Sequence, residues 1–454
     1  MLTHWAVPET DLFSHSYAGA PWVAHEWLAE MLYAGAYMLG GWGAVVVLTA
    51  AAFASTLAIL CRFLLRHLEP IYGLLAVAAA ASLAAPHLLA RPHALILPLL
   101  VSWCVVLVRA CEEGHRPALP WALLMVLWAN LHGSFPLGFG LAAVFALEAL
   151  LAAPSRSQRH QVLRSWGGFL LLAALGMLVT PHGLGGLRHV FYLQGMSITD
   201  TISEWRSPNF HYLQPLEFWL MVVAAAAFSR GLRLPPIRLA LLLGLLHLAL
   251  RHARHAEILG LLAPIIVAQS IGAQWCSQPR GVQQAEVLDR FFRRLAAPAR
   301  PVAILFVLVA FSLLSWVVVR VDLLRPASEM TPDAAIQAAL AKNPRGPVLN
   351  AFEFGGYLIF RGIPVFVDGR ADLYGDRFLS DYLAAIKLNS PERLVQLLEK
   401  YCIGWTLLQP GTPAIALLDR LPEWRQIYID QGSVVHVKEQ FLGSTTCYSS
   451  GSSK

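Results

Sequence analysis

Ten apolar runs divide the first 320 residues, at about 42–60, 71–90, 93–109, 118–131, 135–153, 165–181, 214–230, 236–251, 255–275 and 301–320. Each approaches the roughly 20 residues that a helix needs to cover about 30 Å of hydrocarbon. From about 322 the period changes. TPDAAIQAALAK predicts a helix with Thr331 as N-cap and Asp333 in its first turn. GPVLNAF and IPVFVDG predict short buried strands, and PERLVQLLEKY an amphipathic helix. CIGWTLLQ predicts another strand, followed by a helix through Ala416–Leu421, and IYIDQGSVVHVK a hairpin turning at Asp430–Gly432. Strands alternating with helices make a small two- or three-layer α/β unit. The pattern predicts a mainly α, polytopic membrane protein of about ten transmembrane helices with a C-terminal soluble α/β domain. Its expected divisions are a first loop with an interfacial helix (1–41), the membrane domain (42–321) and the soluble domain (322–454).

Composition fixes the solvent. Charged residues make up 14% of the 454, against roughly 25% in soluble chains. Apolar residues reach 57% and mean hydropathy is +0.55, so lipid must cover most of that surface. Disorder, collagen and a disulfide scaffold are excluded by the same figures. The net charge of +6 comes from Arg, since all five lysines lie in the last quarter. The polar joints alternate: one set holds 15 arginines, and the other, ahead of the last run, holds Arg91, Arg188, Arg206, Arg251 and Arg254. Basic excess marks the cytoplasmic side. The N-terminus and everything after 321 are therefore expected outside a bacterial inner membrane, in the cell envelope. Residues 1–61 hold no Lys or Arg, in agreement. Met1 opens onto polar, aromatic sequence with no signal peptide, so a preceding span is expected to be missing. Among six cysteines there is no metal spacing, and Cys402 with Cys447 is the one candidate bridge in the expected exterior domain.

The joints expected outside carry the unusual residues. Eleven of sixteen histidines fall there, among them His25, His93, His132, His182 and His189. Ionisable groups near lipid are costly, so several on one face need a wet cavity or one another. The densest stretch is DLFSHSYAGAPWVAHEWLAE, from Asp11 to Glu30, in which Glu26 and Glu30 share one face of a helix expected to begin near Trp22. A carboxylate there suits general-base work, and equally a solvated helix face. NLHGS (130–134) and TPHG (180–183) turn the chain between spans, and ITDTISEWRSPNF, with Glu204, reads as a substrate lid or a bare connector. RHARH (251–255) is basic on the side expected to lack charge, which suits phosphate. FVDGRADLYGD sets Asp368, Arg370, Asp372 and Asp376 beyond a strand end, where ligands bind in α/β sheets and where turns also use these residues. No P-loop, GxGxxG, HExxH, GxSxG or zinc pattern occurs, and no nucleic-acid partner is expected.

The stretch TDLFSHSYAGAPWVAHEWLAEMLYAGAYMLGG resembles the first exterior loop of bacterial multi-span proteins grouped with GT-C-type glycosyltransferases. The likeness continues through LLARPH, NLHG, TPHG and EWRSP to FEFGGYLIFRGIPVFVDGRADLYG. The resemblance implies a GT-C-like fold and a polyprenyl-phosphate-linked sugar donor. It also implies an Asp or Glu of the first exterior loop near the acceptor hydroxyl, and the matching residues here are Asp11, His25 and Glu26. Such relatives begin with one more span, which this sequence lacks. The expected function is transfer of a sugar to a glycan, lipid or protein acceptor outside the membrane. Asp11 or Glu26 would be the base, Arg91, His93, Arg251 and Arg254 would hold the donor phosphate, and a divalent metal (Mg or Mn) is admitted without a visible ligand set. A carrier or flippase of lipid-linked glycans and a non-catalytic membrane scaffold are the other two classes.

Overall fold

The computed structural model describes residues 1, 6–198, 205–275, 285–321, 324–327 and 329–439. All ten apolar runs are helical in it. The helices are α1 (Trp27–His67), α2 (Pro70–Ala84), α3 (Pro92–Glu112), α4 (Leu123–Leu131), α5 (Phe135–Ala152), α6 (Arg156–Leu178), α7 (Leu184–Gln194), α8 (Pro215–Arg230), α9 (Pro236–Arg251), α10 (Ala256–Trp275), α11 (Ala285–Ala296) and α12 (Pro301–Val321). Among the described residues, seven helical runs are long and apolar enough to cross a membrane, and Leu119–Leu131 is a shorter apolar one. Proline opens α2, α3, α8 and α9, where its missing N–H costs nothing. The expected interfacial helix starts at Trp27 rather than Trp22. It runs into the first span as one 41-residue element broken at Gly40–Gly41, where Gly41 has φ 59°.

Helix α3 is the bundle's axis, with Leu97, Leu100, Trp103 and Leu107 buried. Lipid gives helices no hydrophobic reason to associate, so close packing and internal hydrogen bonds do that work. Trp103 Nε1 donates to the Gly138 carbonyl at 2.8 Å, and a Cβ on Gly138 would meet the Trp128 ring at 2.8 Å. At the arginine-rich end, Arg238 is buried instead of exposed. It pairs with Glu148 (2.9 Å) and Glu112 (3.3 Å) and donates to the Ile266 carbonyl, while His67 meets Glu112 at 3.3 Å. These contacts tie α1, α3, α5, α9 and α10 at that end.

The tail comprises α13 (Asp333–Ala341), β1 (Val348–Asn350), α14 (Gly355–Phe360), α15 (Ala371–Ile386), α16 (Pro391–Lys400), β2 (Trp405–Leu408), α17 (Ala414–Leu418), β3 (Trp424–Ile429) and β4 (Val434–Lys438). The sheet order is β1-β2-β4-β3, with β1 and β2 parallel and the other pairs antiparallel. Side chains alternate through it. Val348, Trp405 and Leu407 pack with α13 and α14 on one face, and Leu349 and Leu408 with α15 and α16 on the other, which makes three layers.

Four expectations change. Thr331 gives its hydroxyl to the Ala327 carbonyl and Pro332 takes the N-cap. The helix after β2 ends three residues early, at Leu418. DLYGD belongs to α15, kinked at Gly375 (φ 73°), rather than to a loop. IPVFVDG is buried but is not a ladder strand. Its polar backbone is taken by Phe13 and His15, through a single bridge from Val365 to Ser14, and by the Asn350 amide and the Ser16 hydroxyl. Trp22, Ala24, Met196 and Ile198 share one hydrophobic cluster with the tail, so the N-terminal segment is packed into the C-terminal unit.

The last span, α12, packs on α1 and is otherwise exposed among the described residues. A Cβ on Gly43 would lie 2.8 Å from the Val318 carbonyl oxygen and 2.9 Å from Val319 Cα, whereas one on Gly244 of α9 meets nothing within 4 Å. Gly43→Leu should therefore lower the unfolding temperature of the purified protein and speed proteolytic release of the tail. Gly244→Leu, as the matched control, should change neither.

Candidate active site at the loop end of the bundle

The tail is locked onto the N-terminal segment by Arg370. Its guanidinium donates to Asp11 Oδ1 (2.7 Å), Asp368 Oδ1 (2.8 Å) and Asp368 Oδ2 (2.7 Å). It lies against the Phe13 and Trp22 rings at 5.2 and 4.8 Å. Tyr374 donates to Asp368 Oδ2 at 2.8 Å. The FGG turn must come close for this to form: a Cβ on Gly355 would stand 2.3 Å from the Val367 carbonyl oxygen and 2.6 Å from Asp368 Cα. Asp11 is fully engaged. Besides Arg370, it accepts from Phe13 N (3.1 Å), Ser14 N (3.0 Å) and Ser14 Oγ (2.5 Å). Burial disfavours its charge, but the Ser14, Phe13 and Arg370 hydrogen bonds outweigh that and hold the carboxyl below its ordinary value. A carboxylate with every lone pair committed cannot take a substrate proton, so the expectation that Asp11 acts as a base is corrected to a structural role.

Glu26 is the residue before α1. His132 Nε2 lies 3.4 Å from its Oε1 and His25 Nε2 3.8 Å. The NLHGS turn explains how. Asn130 donates to the Val126 and Val179 carbonyls and accepts from Trp27 Nε1, each at 2.8 Å, which pins α4, the end of α6 and the start of α1 together. His132 Nδ1 accepts the Ser134 N–H at 3.1 Å, so the ring proton sits on Nε2, facing Glu26. Burial pushes the Glu26 carboxyl up to about 7, against the opposing pull of the Gly133 N–H and of Arg254. Burial also lowers His25, and lowers His132 well below the imidazole range with help from Arg254 and His93. Both rings are thus neutral at pH 7. Glu30, one turn on, is more exposed, yet burial and the nearby Glu26 still raise its pKa, so both carboxyls feel the same cluster.

The remaining candidates divide. His182 lies beside Ala24, His25 and His189, and burial lowers its pKa. Arg254 stands over the Trp205 ring at 4.2 Å; its loop is fixed by the Ala253 N–H to the Arg206 carbonyl (2.9 Å) and by His252 Nδ1 against the Trp205 carbonyl (2.5 Å). Arg254 and His93 thus converge electrostatically on the Glu26 centre. Arg91 and Arg251 are exposed at helix ends, where their backbone carbonyls accept from the Tyr33 and Ser207 hydroxyls. Asp368 and Arg370 belong to the lock. Asp372, in the first turn of α15, faces His189 with its Oδ2 3.2 Å from Nε2. Asp376 accepts from Ser197 N, Ser197 Oγ and Ile198 N, which closes the long loop on the tail. Residues 199–204 of the expected lid, Glu204 included, and Cys447 of the expected bridge lie outside the described residues. Sequence reasoning missed His189 as a site residue, and missed the buried Glu257 one turn into α10. Neither has a local motif; only the fold brings His189 to Asp372.

A groove of about 530 Å³ is lined by Trp27, the residue after Glu26, and by Leu28, Leu127, Asn130, Val179 and Pro181 among others. Most of these side chains are apolar, and Asn130 is one of the few polar ones.

No family model and no curated protein matches the chain. Among solved structures, the archaeal oligosaccharyltransferase AglB from Archaeoglobus fulgidus, in complex with an inhibitory peptide and a dolichol-phosphate, is similar over 97% of this chain and 69% of its own. The identity is 9% and the TM-score 0.49. ArnT from Cupriavidus metallidurans, bound to undecaprenyl phosphate, is similar over 94% of this chain and 90% of its own, at 17% identity and a TM-score of 0.43. Neither likeness is close enough to carry a functional conclusion.

Asp11→Ala should cost about 3 kcal/mol, the low end for a broken buried pair, because Asp368 still neutralises Arg370. The contribution of Asp11 exists above its ordinary pKa of 3.8 and is lost as pH falls through the lower folded value. In unfolding-temperature scans the gap between wild type and Asp11→Ala should therefore narrow below about pH 4.

Proposed function

We propose that the chain is a GT-C-type membrane glycosyltransferase. It moves a sugar from a polyprenyl-phosphate donor to an acceptor hydroxyl at the extracytoplasmic face of a bacterial inner membrane. The observation that carries this reading is the setting of Glu26: a carboxylate of raised pKa between two neutral histidines, in the field of Arg254, with the next residue, Trp27, lining an apolar groove. The arginine-rich end of the bundle, by the positive-inside rule, faces the cytoplasm, which puts Glu26 and the tail outside.

In this reading the prenyl chain lies along the groove and its phosphate turns toward Arg254 and His93. The acceptor O–H gives its proton to Glu26, and the acceptor oxygen bonds to the anomeric carbon. The bond from that carbon to the phosphate oxygen breaks, and its electrons leave with the polyprenyl phosphate. Arg254 offsets the charge that develops on the leaving phosphate, which is a large term in such chemistry. His132 orients Glu26 without competing for the proton, because burial keeps its ring neutral. Stacking on Trp205 fixes the guanidinium of Arg254. The acceptor, whether glycan, lipid or protein, meets this site from the water side.

The test is transfer from a polyprenyl-phosphate sugar in reconstituted vesicles. Glu26→Gln should lose about 10²–10⁴-fold in rate, the range for a missing general base, while eluting and melting as the wild type does. Arg254→Ala should weaken donor binding and the rate together. Glu30→Gln should remain active. Undiminished transfer by Glu26→Gln would sink the reading.

A further inference from the structure

Three segments distant in sequence meet beside Glu26. His25 from the N-terminal segment, His189 from α7 and Asp372 from α15 each bring one donor atom to within 4.8 Å of the other two. Two of these groups are incompletely satisfied. His189 Nε2 and Asp372 Oδ2 are buried and face each other as an ion pair at 3.2 Å, yet neither atom has an aligned hydrogen-bond partner. Buried polar atoms are rarely left so. The third group is prepared in the way metal-bound imidazoles are. His25 Nδ1 lies 3.3 Å from the Val23 carbonyl and donates to it, which leaves the Nε2 lone pair facing the cluster. Gly133 makes room for that ring, since a Cβ there would already touch His25 Cδ2 at 3.4 Å and Val190 at 3.3 Å.

We propose that His25, His189 and Asp372 bind one divalent transition-metal ion of the zinc class, which clips the C-terminal unit to the loop end of the membrane bundle. Two imidazoles and one carboxylate suit zinc and its neighbours, whereas magnesium and calcium favour all-oxygen sets. The ligand set thus selects a different metal from the Mg or Mn that the sequence admits. Atoms no more than 4.8 Å apart share a centre about 2.8 Å from each. Closing to the roughly 2.1 Å of a zinc–nitrogen bond needs about 0.7 Å of side-chain movement. Three protein ligands leave a fourth position, and the Glu26 carboxylate, 3.8 Å from His25 Nε2, is close enough to fill or face it. The site stands on these contacts whether or not the chain transfers sugars.

The experiment uses the full chain in detergent, freed of any tag and of metal by chelation, and titrates it with zinc alone. One equivalent should bind, magnesium at the same concentration should not displace it, and zinc should raise the unfolding temperature and slow proteolytic release of the tail. His189→Gln and Asp372→Asn should each weaken binding at least tenfold, the usual scale for a lost ligand or its support, and should abolish the thermal shift. His182→Ala, a neighbour outside the set, should keep both. Cobalt added to the wild-type protein should give visible absorption typical of a nitrogen and oxygen site, a reading that needs no variant to fold. Less than half an equivalent of zinc on the wild type, no visible cobalt band, or unchanged binding in folded His189→Gln and Asp372→Asn would each overturn the proposal.

Discussion

The arrangement of the whole loop end rests on one guanidinium. Arg370 is held by two carboxylates and flanked by two aromatic rings, so its charge is neutralised and its plane fixed. From it the rest follows in two directions. Toward the N-terminus, Asp11 anchors the loop whose far end carries His25 and Glu26. Toward the C-terminus, it sets the first turn of α15, which carries Asp372 and Asp376. A lysine could not replace it, because a single ammonium cannot make the same forked contacts. The lock also explains why a segment rich in acidic and aromatic residues is so buried although it begins next to a membrane. Its polar atoms are satisfied by the tail and its rings are part of the tail's core.

The site itself is governed by desolvation. At the bundle end His25, Glu26 and His132 are partly buried, and burial shifts all three toward their neutral forms. The two imidazoles are neutral at pH 7, whereas Glu26, pushed up to about 7, is partly ionised and able to take a proton. Arg254 supplies the cationic field. Phosphate chemistry needs such an environment, with few counter-charges already spent on one another. The opposite end of the bundle solves a similar problem differently: Arg238 is consumed entirely by Glu112 and Glu148. One end uses its charges for structure and the other keeps an arginine facing the site.

Much of the architecture was legible in the sequence, for physical reasons. Spans show themselves by length and hydropathy, so each of the ten runs is a helix. The alternation of strands and helices gave the three-layer tail, and the histidines of the joints did converge. What sequence could not show was which polar residue spends its lone pairs on which partner. Asp11 and Glu26 are equivalent as letters in a loop, and only the Arg370 lock distinguishes a structural acid from an available one. Arg238 looked like a solvated flanking charge because its acidic partners lie 90 and 126 residues away. IPVFVDG has the composition of a ladder strand, but its neighbours are the Asn350 side chain and residues some 350 positions earlier in the chain. His189 carried no motif, because its significance is a meeting with the tail.

That long separation sets a timetable. Asp11 and Arg370 are 359 residues apart, so at about 5–20 residues per second the ribosome makes the acid roughly 20–70 seconds before its partner. Meanwhile the spans must insert one after another. The parallel pairing of β1 with β2 lengthens the delay, because the crossover between them contains Asp368, Arg370 and Asp372, and the sheet cannot close around them until Trp405 has emerged. Asp11 and the rings of Phe13 and Trp22 must therefore wait for Arg370 through most of synthesis. The lock is closed by the last quarter of the chain, after the residues of the membrane domain have been made.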